Sequence, residues 1–321
     1  MQILGKNNMA IRRIPLLLCG GLLLTCLTGC AGLNKWEMLQ KAGKLPPRFE
    51  LNTVPFFPQK AYQCGPASLA TALNWSGLPV SPEDLTDEVF TPARKGSLQT
   101  ALISAARRHG RIAYISTGME VIFSEVTAGH PVIILQNLGL SWYPVWHYSV
   151  VVGYDLPKKI VILRSGATAR KIMVSRVFVK TWARSNYWGL LILRPDQLPA
   201  MAKKDLFLEA VLGLEKARQF RAAIHGYKTA LTRWPQNLIA LMGIGNCHYA
   251  LGELKDAESA FRESVRLHPK EGSALNNLAQ ILFEQGRKHE ALEAIKKAVS
   301  LGGPLSDVYE KTLKEIQAGS P

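Results

Sequence analysis

The 321-residue chain has few of the features that mark cofactor, metal or nucleic-acid proteins. It contains five cysteines, and no group of His, Cys, Asp and Glu has metal-ligand spacing. It also lacks a glycine-rich phosphate loop and any cofactor fingerprint, so we expect no metal and no cofactor. The formal net charge is +15, yet no basic run interleaved with aromatic residues occurs. Nucleic acid is therefore not an expected partner.

Long hydrophobic runs are also missing, and the one near the N-terminus is short. Leu16–Leu24 is apolar but falls below the roughly 20 residues of a membrane-spanning helix. It follows three basic residues, Lys6, Arg12 and Arg13, in a stretch that contains no acid. This order predicts an N-terminal signal peptide.

The end of that leader reads Leu-Thr-Gly-Cys at residues 27–30. Small residues before a cysteine at this place resemble the lipobox of bacterial lipoproteins. The resemblance implies a signal peptide at residues 1–29, cleavage before Cys30 and lipid attachment to Cys30. A plain signal peptide with a chance cysteine is the alternative.

The resemblance also bears on location. Residues 31 and 32 are Ala and Gly, with no Asp next to the cysteine. In bacterial lipoproteins this sequence implies that the lipid-anchored chain lies at the outer membrane and faces the periplasm. Without its three leader charges the mature chain carries +12, which suits an anionic membrane or cell-wall surface. Residues 30–50 are polar and mixed, and we interpret them as a tether that contains a short helix around residues 36–42.

The chain is organised around residues 59–77, QKAYQCGPASLATALNWSG. Pro66 suits the first turn of a helix, Leu69 and Leu73 recur at helical spacing, and Gly77 marks a helix end. Cys64 is thus predicted at the start of a helix, where unpaired N–H groups and the helix dipole favour a thiolate. A small buried structural cysteine is the alternative interpretation.

Gln59 followed by CGPASLA at residues 64–70 resembles the nucleophile segment of the papain-like, bacteriocin-processing ("double-glycine") cysteine peptidases. The resemblance implies a Cys–His pair, an upstream glutamine in the oxyanion hole and an acid that orients the histidine. Gln59 is the first candidate for the glutamine and Gln63 the alternative. It further implies a papain-like α+β domain over residues 51–197, with N-terminal helices and an antiparallel sheet.

The residue pattern agrees with that order of elements. Helices are predicted from Cys64, from Ser81-Pro82 and from Leu98 to Gly110, and then the pattern becomes extended. Short apolar, β-branched runs predict five strands, at residues 112–116, 132–136, 147–154, 160–164 and 189–193. Two further helices are predicted between strands, at residues 119–129 and 175–182. Helices followed by strands favour an α+β domain.

His147 opens the third of these strands, WHYSVVVGYD, which is the form the family's catalytic histidine takes. A half-buried structural histidine is the alternative. Family members carry an Asp about sixteen residues after the histidine, but residues 162–166 read ILRSG and contain no carboxylate. Asp155 is a candidate orienter or a turn residue, and Ser165 could orient His147 weakly through its hydroxyl.

The C-terminal third repeats with a period of 34 residues. Ala223, Ala257 and Ala291 recur at that period, as do Pro235 with Pro269 and Gly252 with Gly286. This pattern resembles tetratricopeptide repeats, with three copies over residues 204–304 and a capping helix and tail at residues 305–321. Such arrays bind a protein partner in a concave groove; a passive spacer and a dimerisation surface remain alternatives.

Two cysteines remain after the leader and Cys30. Cys64 and Cys247 fall in separate predicted domains, so we expect no disulfide between them. Cys247 occupies a repeat core position and is interpreted as structural.

Two functions follow from the sequence. The first is a lipid-anchored periplasmic cysteine peptidase, with Cys64, His147 and Gln59 in its site and a peptide or protein as its substrate. The second is a catalytically degenerate peptidase fold that binds a peptide while the repeats act as an envelope scaffold. The missing carboxylate favours the second function, and the intact Gln, Cys and His favour the first.

Overall fold

A computed structural model describes residues 31–319, with side chains from Trp36 onward. The predicted signal peptide and the predicted lipidation site, Cys30, lie outside the described residues. None of the helices within the described range combines the length and the apolar character that crossing a membrane requires.

The first domain combines six helices with a sheet. Its helices are α1 (Ala31–Ala42), α2 (Cys64–Trp75), α3 (Pro82–Val89), α4 (Gln99–Arg108), α5 (Met119–Thr127) and α6 (Ser175–Ala183). Its strands are β1 (Arg48–Glu50), β2 (Phe90–Thr91), β3 (Gly96–Ser97), β4 (Ile112–Thr117), β5 (Val132–Asn137), β6 (Trp146–Asp155), β7 (Ile160–Ser165), β8 (Thr168–Val174) and β9 (Trp188–Leu193). All five predicted strands and all predicted helices of this domain form.

The main sheet is antiparallel, in the order β4-β9-β5-β6-β7-β8, and β1 pairs with the far end of β6. Alternate residues of the central strands point to opposite faces. One face packs Ile133, Val150 and Val152 against α2, α3 and α4. The other packs Ile134, Val151 and Leu163 against α5 and α6. The predicted α+β fold with an antiparallel sheet is therefore confirmed.

The segment predicted as a tether is packed over part of its length, which corrects that expectation. Trp36 in α1 is buried and its indole N–H donates to the carbonyl of Leu156 at 2.9 Å. Its ring meets Phe123 edge-on, with centroids 5.5 Å apart. An aromatic side chain buried in this way stabilises the docked position by about 1.5–3 kcal/mol, so residues 36–50 belong to the domain.

The C-terminal part is an all-helical array of antiparallel pairs. Its helices are α7 (Lys204–Lys216), α8 (Phe220–Arg233), α9 (Leu238–Ala250), α10 (Leu254–Leu267), α11 (Gly272–Glu284), α12 (Lys288–Leu301) and α13 (Ser306–Ala318). The alanines that recur every 34 residues are fully buried where the helices touch, and Cys247 is a buried free thiol. The array predicted from the period is thus confirmed.

The first helix pair packs against the sheet domain. Phe207 and Val211 of α7 share one hydrophobic core with Ile112 and Tyr114 of β4. The first helix of the array therefore buries part of its surface against the sheet instead of against another repeat.

A buried carboxylate joins the two domains. Glu125 of α5 accepts hydrogen bonds from the backbone N–H groups of Ala200 and Met201, at 3.0 and 3.1 Å. It also pairs with Nδ1 of His130 at 2.9 Å. Since Glu125 has no exposed surface, these bonds fix the segment that leads into α7.

Candidate active site

Cys64 is the first residue of α2, as predicted. The helix it begins is buried from Gly65 to Leu73, because it lies between the sheet and its neighbouring helices. Gly65 sits so close to β3 that a Cβ there would lie 2.2 Å from Oγ of Ser97. A glycine after the cysteine is therefore a packing requirement that fixes how deep the start of α2 lies.

The protonation state of Cys64 differs from the sequence expectation. Burial raises the pKa of the Cys64 thiol, and backbone hydrogen bonds from Tyr148, Gly65 and Cys64 itself lower it only in part. The helix start was expected to favour a thiolate, but desolvation outweighs that effect here. The resting group is a thiol that needs a base.

His147 lies at the start of β6, opposite Gln136 of β5. Its Nε2 is 2.9 Å from Oγ of Ser165 at the end of β7. Burial lowers the pKa of His147 to about 4, and the nearby charge of Lys171 acts in the same direction. The imidazole is therefore neutral at physiological pH, and its Nδ1 has no hydrogen-bond partner among the described residues.

A buried polar chain extends behind Ser165. Oγ of Ser149 lies 3.0 Å from Oγ of Ser165, and Ser149 also reaches Oε1 of Gln136 at 3.5 Å. Gln136 in turn donates from Nε2 to Oγ1 of Thr181 in α6 at 2.7 Å. Sequence reasoning singled out Ser165 but missed Ser149, Gln136 and Thr181, because only the strand register and the packing of α6 bring them together.

Asp155 is not near the imidazole, which corrects its candidacy as the orienting acid. It closes β6 at the end opposite His147, eight residues along an extended strand. Its carboxylate accepts from the backbone N–H of Lys158 at 2.9 Å and so caps a turn. In the described chain the partner of His147 is the hydroxyl of Ser165.

Gln59 lies beside the site but its amide already has partners. Its Oε1 accepts from the backbone N–H of Gly166 at 2.7 Å, which fixes the orientation of the amide. Its Nε2 donates to the carbonyl of Tyr148 at 3.2 Å and to Oγ of Ser68 at 3.3 Å. An oxyanion would have to compete for one of these N–H groups.

Gln63, the alternative glutamine, points elsewhere. Its Oε1 accepts from Oγ1 of Thr86 in α3 at 3.2 Å, and it lines a separate small cavity next to Pro82. Of the two glutamines, Gln59 is therefore the one that lines the same cleft as Cys64.

The structure brings Cys64, His147 and Gln59 to one open cleft of about 880 Å³. The segment that leads into α2 and ends at Cys64 forms one side of this cleft, and the start of β6 with the loop before it forms another. A thiol, a neutral imidazole whose Nε2 is held by Ser165 and a carboxamide can together support acyl transfer to sulfur.

One group of described side chains elsewhere has the spacing of a metal site. His248, Glu253 and Asp256 lie close together in the repeats. However, Glu253 is already bound to Arg221 and to Nδ1 of His248. Those bonds hold Glu253 and His248 together, and the third member, Asp256, is exposed.

Comparisons with known proteins agree with the domain order. Residues 51–188 match the Peptidase_C39 like family, and residues 208–271 and 248–304 match the Tetratricopeptide repeat. A Bacillus anthracis structure described as a C39-like peptidase covers 46% of this chain and 97% of its own, at 19% identity and a TM-score of 0.39. The tetratricopeptide-repeat domain of Sgt2 from Aspergillus fumigatus covers 36% of this chain and 77% of its own, at 22% identity and a TM-score of 0.34.

Two curated relatives match over shorter stretches. The UDP-N-acetylglucosamine–peptide N-acetylglucosaminyltransferase SPINDLY of Hordeum vulgare is 34% identical over 87 residues, which is 27% of this chain. Small glutamine-rich tetratricopeptide repeat-containing protein 2 of Mycosarcoma maydis is 29% identical over 122 residues, which is 38% of this chain. The chain spans 9% and 32% of the lengths of these two relatives.

Proposed function

We propose that this chain, which consists of a C39-like peptidase domain (residues 51–188) followed by tetratricopeptide repeats (residues 208–304), is a cysteine peptidase of the bacterial cell envelope. The observation that carries the proposal is the shared cleft. Cys64 at a helix start and His147 at a strand start, 83 residues apart in the chain, line it together.

The reaction begins with the thiol. Nδ1 of His147 accepts the proton of Cys64 as the sulfur attacks the carbonyl carbon of a peptide bond. The C–N bond then breaks, the amine leaves with the proton from His147, and a thioester remains on Cys64. His147 next takes a proton from water, whose oxygen attacks the thioester, and the acid product leaves as the thiol re-forms.

The oxyanion of each tetrahedral intermediate would be held by the backbone N–H of Cys64 and by Nε2 of Gln59. Losing one such donor typically lowers the rate by about 10²–10³. Since Nε2 of Gln59 is shared with Tyr148 and Ser68, its contribution would fall at the low end of that range.

Specific observations also favour a second function, a degenerate peptidase fold that binds without cleaving. The His147 partner is a serine hydroxyl instead of a carboxylate. Burial also raises the pKa of Cys64 and lowers that of His147, which disfavours a thiolate–imidazolium pair. Under this alternative, the cleft holds a peptide and the repeats form an envelope scaffold.

The location and the partners belong to the same proposal. The lipobox-like sequence ending at Cys30 supports a lipid anchor at the outer membrane, facing the periplasm. The repeats would recruit a protein partner or the substrate itself, as repeat arrays do through their concave surface. Replacement Cys30→Ser should release the chain from the membrane fraction; membrane retention of that variant would count against the anchor.

The peptidase is tested on a peptide mixture. The full chain, Cys64→Ala, His147→Ala and the matched cysteine control Cys247→Ala are each incubated with peptides from a whole-cell digest, and new N-termini are identified by mass spectrometry. We expect new termini with wild type and Cys247→Ala only. New termini that persist in Cys64→Ala would exclude the thiol mechanism, and no cleavage by wild type would favour the binding module.

A further inference from the structure

The loop between β5 and β6 carries an unusual set of exposed apolar side chains. We define residues 138–146 as the aromatic hairpin. Trp142 is 81% exposed and Tyr143 is 73% exposed. Leu138, Leu140, Val145 and Trp146 are exposed as well. A contiguous apolar patch of this kind on a folded surface usually marks a binding site.

The aromatic hairpin is held in one conformation. Oδ1 of Asn137 accepts from the backbone N–H groups of Gly139 and Val145, at 3.0 and 2.9 Å. Arg184 donates to the carbonyls of Asn137 and Gly139 from the other side. Gly139 is packed so tightly that a Cβ would lie 2.4 Å from the carbonyl oxygen of Tyr143. The aromatic side chains are thus presented by a rigid support, which lowers the entropy lost on binding.

Part of the aromatic hairpin faces the cleft and part does not. Tyr143, Val145 and Trp146 line the cleft next to His147, whereas Trp142 is not among its lining residues. The apolar surface therefore continues into the candidate active site, and neighbouring aromatic residues differ in their access to it.

The cleft is also one-sided in charge. Lys60, Arg94, Lys95 and Arg184 line it, and none of its described lining residues is Asp or Glu. In the described chain Lys60 alone of these four has a carboxylate partner, Glu83 at 3.3 Å. That pair is exposed on both sides and so neutralises Lys60 weakly. A cleft lined by one sign of charge attracts ligands of the other sign.

We propose that the cleft selects peptide segments that carry acidic residues next to a large apolar side chain. The acidic residues pair with Arg94 and Lys95, and the apolar side chain packs on Tyr143 and Trp146 of the aromatic hairpin. This inference names the substrate class of the proposed peptidase site and rests on that site accepting a peptide.

The test is a selection for binding, which does not require cleavage. A displayed library of random decapeptides is panned against the full chain carrying Cys64→Ala, and the selected sequences are compared with the input. We expect Asp and Glu to be enriched at least twofold, together with Phe, Leu, Trp or Tyr. A selection with no acidic enrichment, or with no peptide enriched at all, would overturn the proposal. Neither result would bear on peptide cleavage by the wild type.

Matched variants separate the cleft from overall charge. Arg94→Gln with Lys95→Asn removes two cleft charges, and asparagine suits Lys95 because that residue has φ +46°. Lys296→Gln with Lys297→Gln removes two exposed charges from the repeats. Binding of a selected fluorescent peptide should weaken about three- to tenfold for the first pair, as for two exposed ion pairs. Equal weakening by both pairs would contradict the proposal.

A second pair of variants tests the aromatic hairpin. Tyr143→Ala should weaken peptide binding about three- to tenfold, whereas Trp142→Ala should leave it unchanged, because only Tyr143 lines the cleft. Sedimentation with phosphatidylglycerol vesicles provides the contrast with a membrane surface. Vesicle binding that is lost in Tyr143→Ala, with peptide binding intact in that variant, would overturn the proposal in favour of a membrane contact.

Discussion

Replacing Ser165 by Asp should restore a carboxylate to the histidine and change the pH dependence of the site. Ser165 is buried, and its Oγ lies 2.9 Å from Nε2 of His147. A carboxylate within about 4–6 Å raises a histidine pKa by about 1–3 units. The pKa of His147, about 4 in the wild type, should therefore rise to about 5–7 in Ser165→Asp.

The direction of the pH effect on Cys64 reactivity follows from which protonation state of His147 is active. Above about pH 4 the wild-type imidazole is neutral and can accept the thiol proton, and this base is lost as the pH falls through about 4. In Ser165→Asp the imidazole should become protonated, and so stop acting as a base, at a pH one to three units higher. In Ser165→Asp a protonated His147 would also stabilise a thiolate at Cys64. The alkylation rate of Cys64 near pH 6 should therefore increase about tenfold for each unit by which the pKa of His147 rises.

The assay is the rate of carboxamidomethylation of Cys64 by iodoacetamide between pH 3 and 10, followed by mass spectrometry. Ser165→Ala should lower the alkylation rate about two- to twelvefold, because it loses a hydrogen bond worth about 0.5–1.5 kcal/mol. The pH at which the rate falls in acid should not change, because the replacement adds no charge. Ser116→Ala is the control, since Ser116 is a buried serine on β4 whose hydroxyl has no partner among the described residues. If the alkylation rate falls at the same low pH in Ser165→Asp as in wild type, the added carboxylate does not raise the pKa of His147.

Three further predictions concern the parts that hold the site and the repeats in place. Gly65→Ala should destabilise the domain by about 1–3 kcal/mol, because its Cβ would lie 2.2 Å from Oγ of Ser97; thermal unfolding measures this, and Ser97→Gly should recover part of the loss. Glu125→Gln should lower the free energy of unfolding by about 1.5–3 kcal/mol and speed proteolysis at residues 198–204, because Glu125 binds the backbone of Ala200 and Met201. The exposed Glu120 makes neither of these bonds, so Glu120→Gln should have neither effect. Arg218→Gly should stabilise the repeats by about 0.5–1 kcal/mol, since Arg218 has φ +58° where the next two repeats have Gly252 and Gly286. A lower melting temperature for Arg218→Gly would contradict that last explanation.

Local sequence signals were sufficient for the elements that carry the site. Pro66 and the apolar spacing after it predict the helix that Cys64 begins, and the β-branched run after His147 predicts its strand. Strand β8 was missed because its residues are mostly exposed and show no run of apolar side chains. The two-residue strands β2 and β3 are too short to leave a pattern.

The chemistry of the site was harder to predict than its residues. The pKa of Cys64 depends on how deeply the fold buries the thiol, because desolvation outweighs the backbone hydrogen bonds from Tyr148, Gly65 and Cys64, and helix position alone gave the opposite sign. The partner of His147 is set by the register of β6 and β7, which brings Ser165 into reach and leaves Asp155 at the far end of its strand. The sequence contains both residues, but only long-range pairing distinguishes them.

In the proposed reaction His147 acts on the thiol of Cys64 across the cleft. The most direct measurement is the iodoacetamide alkylation rate of Cys64 at pH 7 in wild type and His147→Ala, with the exposed His289→Ala as the matched control. We expect the rate to be at least about tenfold lower in His147→Ala and unchanged in His289→Ala. Equal rates in wild type and His147→Ala would contradict it, because the thiol would then react without the imidazole.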